Sequence, residues 1–391
     1  MILPLDGIKV LDLSRLLPGP FASQILSDFG AKVIKVEDTG PGDYLRIIPP
    51  MMGETSALFH SVNRAKKSIK LDLSKPEGQE LFKQLAADAD VLLEGFRPGV
   101  MDKLGVGYNE LKLINPRLIY CTLTGYGSSG PYRDYAGHDI NYLSYSGVAG
   151  LTGNAGEKPV VPGVQIADIG GGAQWAVISI LLALQARGLT GLGQFCDTAM
   201  MDGIVSWMPF ALALWNAGAP LPQRGREVLN GGYACYNIYE TSDNKYVSIG
   251  VIEYKFWAEF CDKLGKPEFS PQQMDPAQQK TMIAELNALF KTRTRDEWVA
   301  FFHDSDVCFS PLLEFEEAAQ SQQLQERHMI IEVDEEHFKG RIMGSPVKLS
   351  GTPAQIQTYA PRPGEHTTEL LSELGLSSEQ IRELMHKGII G

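Results

Sequence analysis

A chain of 391 residues and 42.9 kDa has length for about two domains at roughly 100 to 200 residues each and can bury a substantial core. Its 44% hydrophobic and 21% charged residues are globular proportions, which exclude a disordered or fibrous chain. The 47 acidic residues exceed the 35 basic ones, a net charge of −12, so the molecule as a whole repels phosphate backbones and no nucleic-acid partner is expected, although a local basic pocket for a phosphorylated ligand is compatible with it.

The N-terminal MILPLDGIKVLDLS lacks a basic segment, a long apolar run and a small-residue cleavage site, so it reads as a strand and not as a leader. Residues 8–13 form an apolar strand, 21–29 a helix and 31–36 a second buried strand, a βαβ unit. Further strands at 90–93 and 118–123, with a helix at 76–87 between them, predict a parallel sheet covered on both faces, an α/β, Rossmann-like domain. Its first crossover carries LLPGP without the glycine spacing that a dinucleotide pyrophosphate needs, so no nicotinamide or flavin is expected.

A second strand and helix unit, GQFCDTAMMDG, runs into an apolar helix over 204–215, and the polar stretch 217–232 reads as a linker. Beyond it, YNIYETSDNKYVSIG is a hairpin turning at Ser242, Asp243 and Asn244. Helices follow at 254–264 and 281–290, and Thr294 with Glu297 and Ser377 with Gln380 spell two capping boxes. The expected organisation is a large domain from 1–216 and 330–391 and a smaller α+β domain at 233–329. The apolar runs at 175–184 and 204–215 fall short of the roughly 18 residues of a spanning helix and are expected to be buried helices, with no membrane partner. Five scattered cysteines without a CxxC pair fit a reducing, cytoplasmic setting better than a disulfide or zinc framework.

Three places carry chemistry. His138 and Asp139 follow a glycine in the loop after SSGP; a lone histidine there is more often a surface or satisfied core residue. Asp168 ends an apolar segment and precedes Gly170, Gly171 and Gly172. Backbone N–H groups at such a helix start hold an anion beside the carboxylate, though a plain N-cap explains the same pattern. Glu253 stands just past a small-domain strand, where a solvent-facing acid is the ordinary reading.

The stretches DLSRLLPGPFASQILSDFGAKVIKVE, NRAKKSIKLDL, ADVLLEGFRPGVMDKLG, NPRLIYCTLTGYG, IADIGGG and GQFCDTAMMDG, with PRPGEHTTELLSELG at the tail, resemble the class III CoA-transferase superfamily nearly end to end. Within that resemblance the intact GHDINY at 137–142 and the glutamate after Gly250, Val251 and Ile252 match the alpha-methylacyl-CoA racemase branch. The resemblance implies His138 and Asp168 as an acid/base pair that moves the α-proton of a 2-methylacyl thioester through an enolate, with Glu253 orienting the imidazole and the amides near Gly170 and Gly171 facing the enolate oxygen. The alternative in the same superfamily is a CoA-transferase in which Asp168 is the nucleophile.

The resemblance further implies that Lys35, Arg64, Lys67, Arg97 and Lys103 meet the CoA phosphates. No metal and no cofactor beyond the CoA moiety of an acyl-CoA substrate is expected. The assembly it implies is an interlocked homodimer in which Glu253 comes from the other subunit.

Overall fold

In the computed structural model, which describes residues 2–335 and 338–391, the apolar runs near the N-terminus become adjacent parallel strands. The chain divides into two units, one from residues 2–146, 164–207 and 322–391, the other from 147–163 and 208–321. The first unit is built on β1 (Lys9–Asp12), β2 (Lys32–Glu37), β3 (Lys66–Lys70), β4 (Val91–Glu94), β5 (Ile119–Thr124) and β6 (Phe195–Ala199), a six-stranded sheet ordered β3-β2-β1-β4-β5-β6. Every pairing is parallel, with Val10 in register with Val33 on one side and Val91 on the other. The central strands β4 and β5 are buried at every position, which is why they read as continuous apolar runs without alternation.

Strand order reverses between β1 and β4, and ligand crevices of doubly wound sheets lie outside the carboxyl ends of the strands at such a switch point. Helix α1 (Pro18–Asp28) leaves the end of β1 with prolines in its first turn. A Cβ on Gly19 would sit 2.1 Å from Ser14 Cβ, so the glycine of LLPGP permits the return of the helix onto the strand end. Helix α2 (Pro76–Ala87) is where the periodicity predicts it.

Helix α3 (Asp139–Ser146) leads toward α4 (Ala167–Thr190), whose first part, Ala167–Ala173, is wound as a π-helix. Its glycines serve close packing: a Cβ on Gly171 would meet Met200 O at 2.5 Å, on the adjoining helix α5 (Met200–Val205).

The second unit contains α6 (Pro209–Asn216), β7 (Tyr236–Glu240), β8 (Tyr246–Gly250), α7 (Tyr254–Leu264), α8 (Gln279–Phe290), α9 (Arg295–Phe302) and β9 (Phe309–Pro311). The hairpin β7–β8 turns through Asn244 at φ 57° and is antiparallel, with β9 on its other edge. The helices enclose a core of Trp257, Phe260, Phe290 and Trp298. Its two indoles donate to Phe269 O at 3.1 Å and Phe290 O at 2.8 Å, so no polar tip is left unbonded in the core. Both capping boxes form as spelled.

Two expectations about the apolar runs are corrected. The 204–215 run is not one buried helix: Pro209 starts a new helix after α5, and α6 has no buried residue, leaving Phe210 and Trp215 exposed. The 175–184 run belongs to the 24-residue helix α4, which is apolar and long enough to cross a membrane by length and composition, and 44% of its most apolar window is buried inside the protein. The chain returns to the first unit through the hairpin β10 (Ile330–Asp334) and β11 (Lys339–Met343), then α10 (Thr367–Glu373) and α11 (Ser378–His386).

Candidate active site

At the carboxyl ends of β1 and β4, in the first unit, a cavity of about 160 Å³ is lined by Ser14, Arg15, Gly95, His138, Tyr142 and Asp168. It adjoins a second hollow of about 320 Å³ that shares His138 and Tyr142 and is also lined by Arg97 and Tyr135. The switch point therefore holds both acid/base candidates of the first unit.

His138 stands immediately before α3, where its backbone N–H donates to Asn141 Oδ1 at 3.0 Å while its carbonyl accepts from Asn141 N at 2.8 Å. Tyr142 completes the turn by donating its hydroxyl to Gly137 O at 2.5 Å. The GHDINY segment thus folds on itself, and the exposed His138 ring is left to face the cavity.

Asp168 lies in the first turn of α4, since helical bonding opens with Ile169 N donating to Gln165 O at 3.1 Å. The free amides of that turn are taken by Asp139, whose Oδ1 accepts from Ala167 N at 2.6 Å and Asp168 N at 3.0 Å. Asp139 is a cap delivered from α3. Burial pushes the Asp168 carboxyl up to about 6; the Asp139 charge adds to the rise and His138 opposes it. The pull of the helix terminus toward an ionised carboxylate is outweighed, and Asp168 exchanges its proton close to neutrality.

The expectation that Gly170 and Gly171 present free amides is corrected. Both stand beyond the first turn, where amides are bound into the helix, and both are buried against α5 and Trp207.

The basic residues separate. Lys35 has no exposure; its Nζ donates to Ser14 O at 2.9 Å and lies 2.8 Å from Asp43 Oδ2, so it reaches no phosphate. Arg64 is buried with both terminal nitrogens on Asp28 and is likewise withdrawn from solvent. Lys67 pairs with Glu369 and, at 3.8 Å, Glu373. Arg97 and Lys103 are exposed after β4, and Arg97 lines the wider hollow. Glu253 belongs to the second unit, exposed at the residue before α7, where its side chain makes no capping bond.

Sequence reasoning did not single out Arg15, which lines the cavity with its guanidinium paired to Asp38 at 2.7 Å and lying over the Tyr44 and Phe96 rings at 5.3 and 5.4 Å. The arginine directly after the apolar β1 run was its signal, because strand ends in such sheets face the crevice.

Three comparisons bear on this site. The profile of CoA-transferase family III matches residues 5–367. The alpha-methylacyl-CoA racemase of Mus musculus is 38% identical over 388 residues, covering 99% of this chain and 97% of that protein. The acetyl-CoA:oxalate CoA-transferase of Acetobacter aceti is 36% identical over 361 residues, 89% of this chain and 90% of that protein. Among solved structures, a CAIB/BAIF family protein from Brucella suis superposes with a TM-score of 0.82 at 32% identity, covering 96% of this chain and all of that one.

Proposed function

Since this chain belongs to CoA-transferase family III, we propose that within the family it is an alpha-methylacyl-CoA racemase, acting on 2-methylacyl-CoA thioesters. The observation that carries the reading is the meeting of His138 and Asp168 in one cavity, with the carboxyl raised to about 6. Inverting a carbon beside a thioester needs one group to take a proton from one face and another to give a proton to the opposite face. In one direction the His138 imidazole accepts the α-proton, the electron pair moves onto the thioester oxygen as an enolate, and the Asp168 carboxyl protonates the other face. In reverse the roles exchange.

Arg97 and Lys103 are the two charges open to the CoA phosphates in this reading. Glu253 orients His138 across the interface of a homodimer, and the enzyme works in the cytoplasm. The raised carboxyl favours proton exchange over the CoA-transferase alternative, in which Asp168 attacks the thioester as an ionised nucleophile.

The test is incubation with (2R)-2-methylacyl-CoA in deuterated water without an acceptor acid, read by mass spectrometry and chiral analysis. Deuterium at the α-carbon with drift toward an even epimer mixture is the expected result. No exchange, followed by CoA transfer when a free carboxylic acid is added, would overturn the reading.

A further inference from the structure

The segment Ser14–Leu16, which walls the cavity facing Asp168, is held from behind by charged side chains that see no solvent. The side chains of Asp12, Lys35, Asp43 and Lys66 all have zero exposure. Asp12 Oδ1 accepts from Ser14 N at 2.9 Å and from the Ser14 hydroxyl. Lys35 Nζ donates to Ser14 O at 2.9 Å, and Asp43 Oδ1 accepts from Leu16 N at 3.0 Å. Lys35 and Asp43 Oδ2 face each other at 2.8 Å, a charge contact not aligned as a hydrogen bond. Behind Asp12, Lys66 Nζ bonds Asp12 Oδ2 at 3.1 Å, Pro20 O at 2.9 Å and Asn63 Oδ1 at 2.8 Å.

Two ammonium groups and two carboxylates balance, but such a cluster adds little stability over apolar packing of the same volume. Its bonds end on backbone that needs them. Leu16 has φ 62°, a left-handed conformation unfavourable for a residue with a Cβ. It lies between Arg15, aimed into the cavity, and the prolines that open α1.

We infer that Lys35, together with Asp12, Asp43 and Lys66, is a positioning residue of the active site: the buried network holds the Ser14–Leu16 backbone in its left-handed turn and so sets Ser14 and Arg15 opposite Asp168. The kinetic part of this inference rests on the proposed racemase reading. The natural control is the pair Arg187–Asp90, joined at 2.8 Å at the amino end of β4, with Arg187 also buried and its further hydrogen bonds ending on Asp90 O and Arg117 O, neither of which lines the cavity.

The experiment compares Lys35→Met with Arg187→Met in the full-length protein, reading thermal melting, amide hydrogen exchange of residues 14–16 by mass spectrometry, and kcat for α-deuterium incorporation. Both variants are expected to melt earlier. Only Lys35→Met should raise exchange at residues 14–16 about tenfold and lower kcat about tenfold. Equal behaviour of the two variants, or unchanged protection and kcat in folded Lys35→Met, would overturn the inference.

If Lys35→Met does not fold, Asp43→Asn keeps the Oδ1 acceptor for Leu16 N while removing the charge facing Lys35, and the same exchange readout decides. A wild-type protein that incorporates no α-deuterium sinks the racemase reading alone, because amide exchange still reports on the turn.

Discussion

Asp12 and Asp168 are both carboxylates of the first unit withdrawn from water near the same cavity, and their acidities move apart. Burial is the largest influence on each and by itself raises both. At Asp12 it is overcome by Lys66 and Lys35 and by the hydroxyls of Ser14 and Ser23, which hold the carboxyl down to about 2. At Asp168 the opposing pull of His138 does not reverse it; Asp139 pushes the same way as burial, and the carboxyl rises to about 6. Depth therefore does not decide charge in this molecule. The neighbours do, and they divide the labour: Asp12 stays ionised at any working pH to hold backbone, whereas Asp168 can take and release a proton.

The largest break in this comparison is Asp168→Asn, which removes the exchangeable proton. Alpha-deuterium incorporation should fall at least about a thousandfold, roughly 4 kcal/mol of barrier. The same change should stabilise the fold at pH 7. A carboxyl with a raised folded pKa opposes folding while ionised and ceases to do so as pH falls, so the advantage of the variant should shrink between about pH 6 and pH 4 in urea titrations. A variant that melts earlier at pH 7 would contradict the raised carboxyl.

Next is Lys66→Met, which leaves Asp12 buried without its nearest cation and should cost roughly 3 kcal/mol in urea unfolding. In the wild type the contribution of Asp12 has the opposite sign to that of Asp168: it is complete above about pH 4 and disappears as pH falls toward 2.

A finer change is Asp139→Asn. The amide oxygen can still accept from Ala167 N and Asp168 N, but the like charge is gone, so the Asp168 carboxyl should fall by up to roughly one unit. In the direction in which Asp168 accepts the α-proton, its protonation at low pH removes that base. The acid limb of kcat/KM should therefore move down by the same amount, and an unmoved limb would mean that Asp168 does not govern it. The smallest effect is expected from Lys83→Ala, which removes a surface partner of Glu80 at 2.8 Å; calorimetry should show less than about 0.5 kcal/mol.

Much of the first unit is legible because its central strands are mostly apolar and do not alternate, and the 76–87 helix, like the 254–264 helix of the second unit, lies where the periodicity predicts it. The edge strand β3, KKSIK, is not legible by the same rule. Its Lys66 is fully buried because Asp12 waits beside it, a partner 54 positions away that no local window contains. Lys35 misleads for the same reason: as a motif residue it reads as a phosphate contact, while its true neighbours, Ser14 O and Asp43, are brought to it by the fold.

At the candidate site, His138 and Asp168 do meet in one cavity, and the signal was the family motif more than either residue alone. Asp168 does lie in the first turn of its helix, but the free amides there are already taken by Asp139. The glycines after Asp168 drew attention as ligand-facing, whereas the structure uses them to bring α4 against α5, and the true first turn carries a cap supplied from GHDINY.

The last residues of the chain are tied to its first third: Leu71 forms a bridge with Ile390, Asp72 N donates to Ile389 O at 2.8 Å, and Thr367 Oγ1 donates to Gly391 O at 2.8 Å. During synthesis this imposes a delay. At roughly 5 to 20 residues per second, the edge beyond β3 leaves the ribosome some tens of seconds before the segment that seals it, with the whole second unit translated in between. The first unit therefore spends that interval with an apolar flank uncovered, and removal of residues 389–391 would leave that flank unsealed.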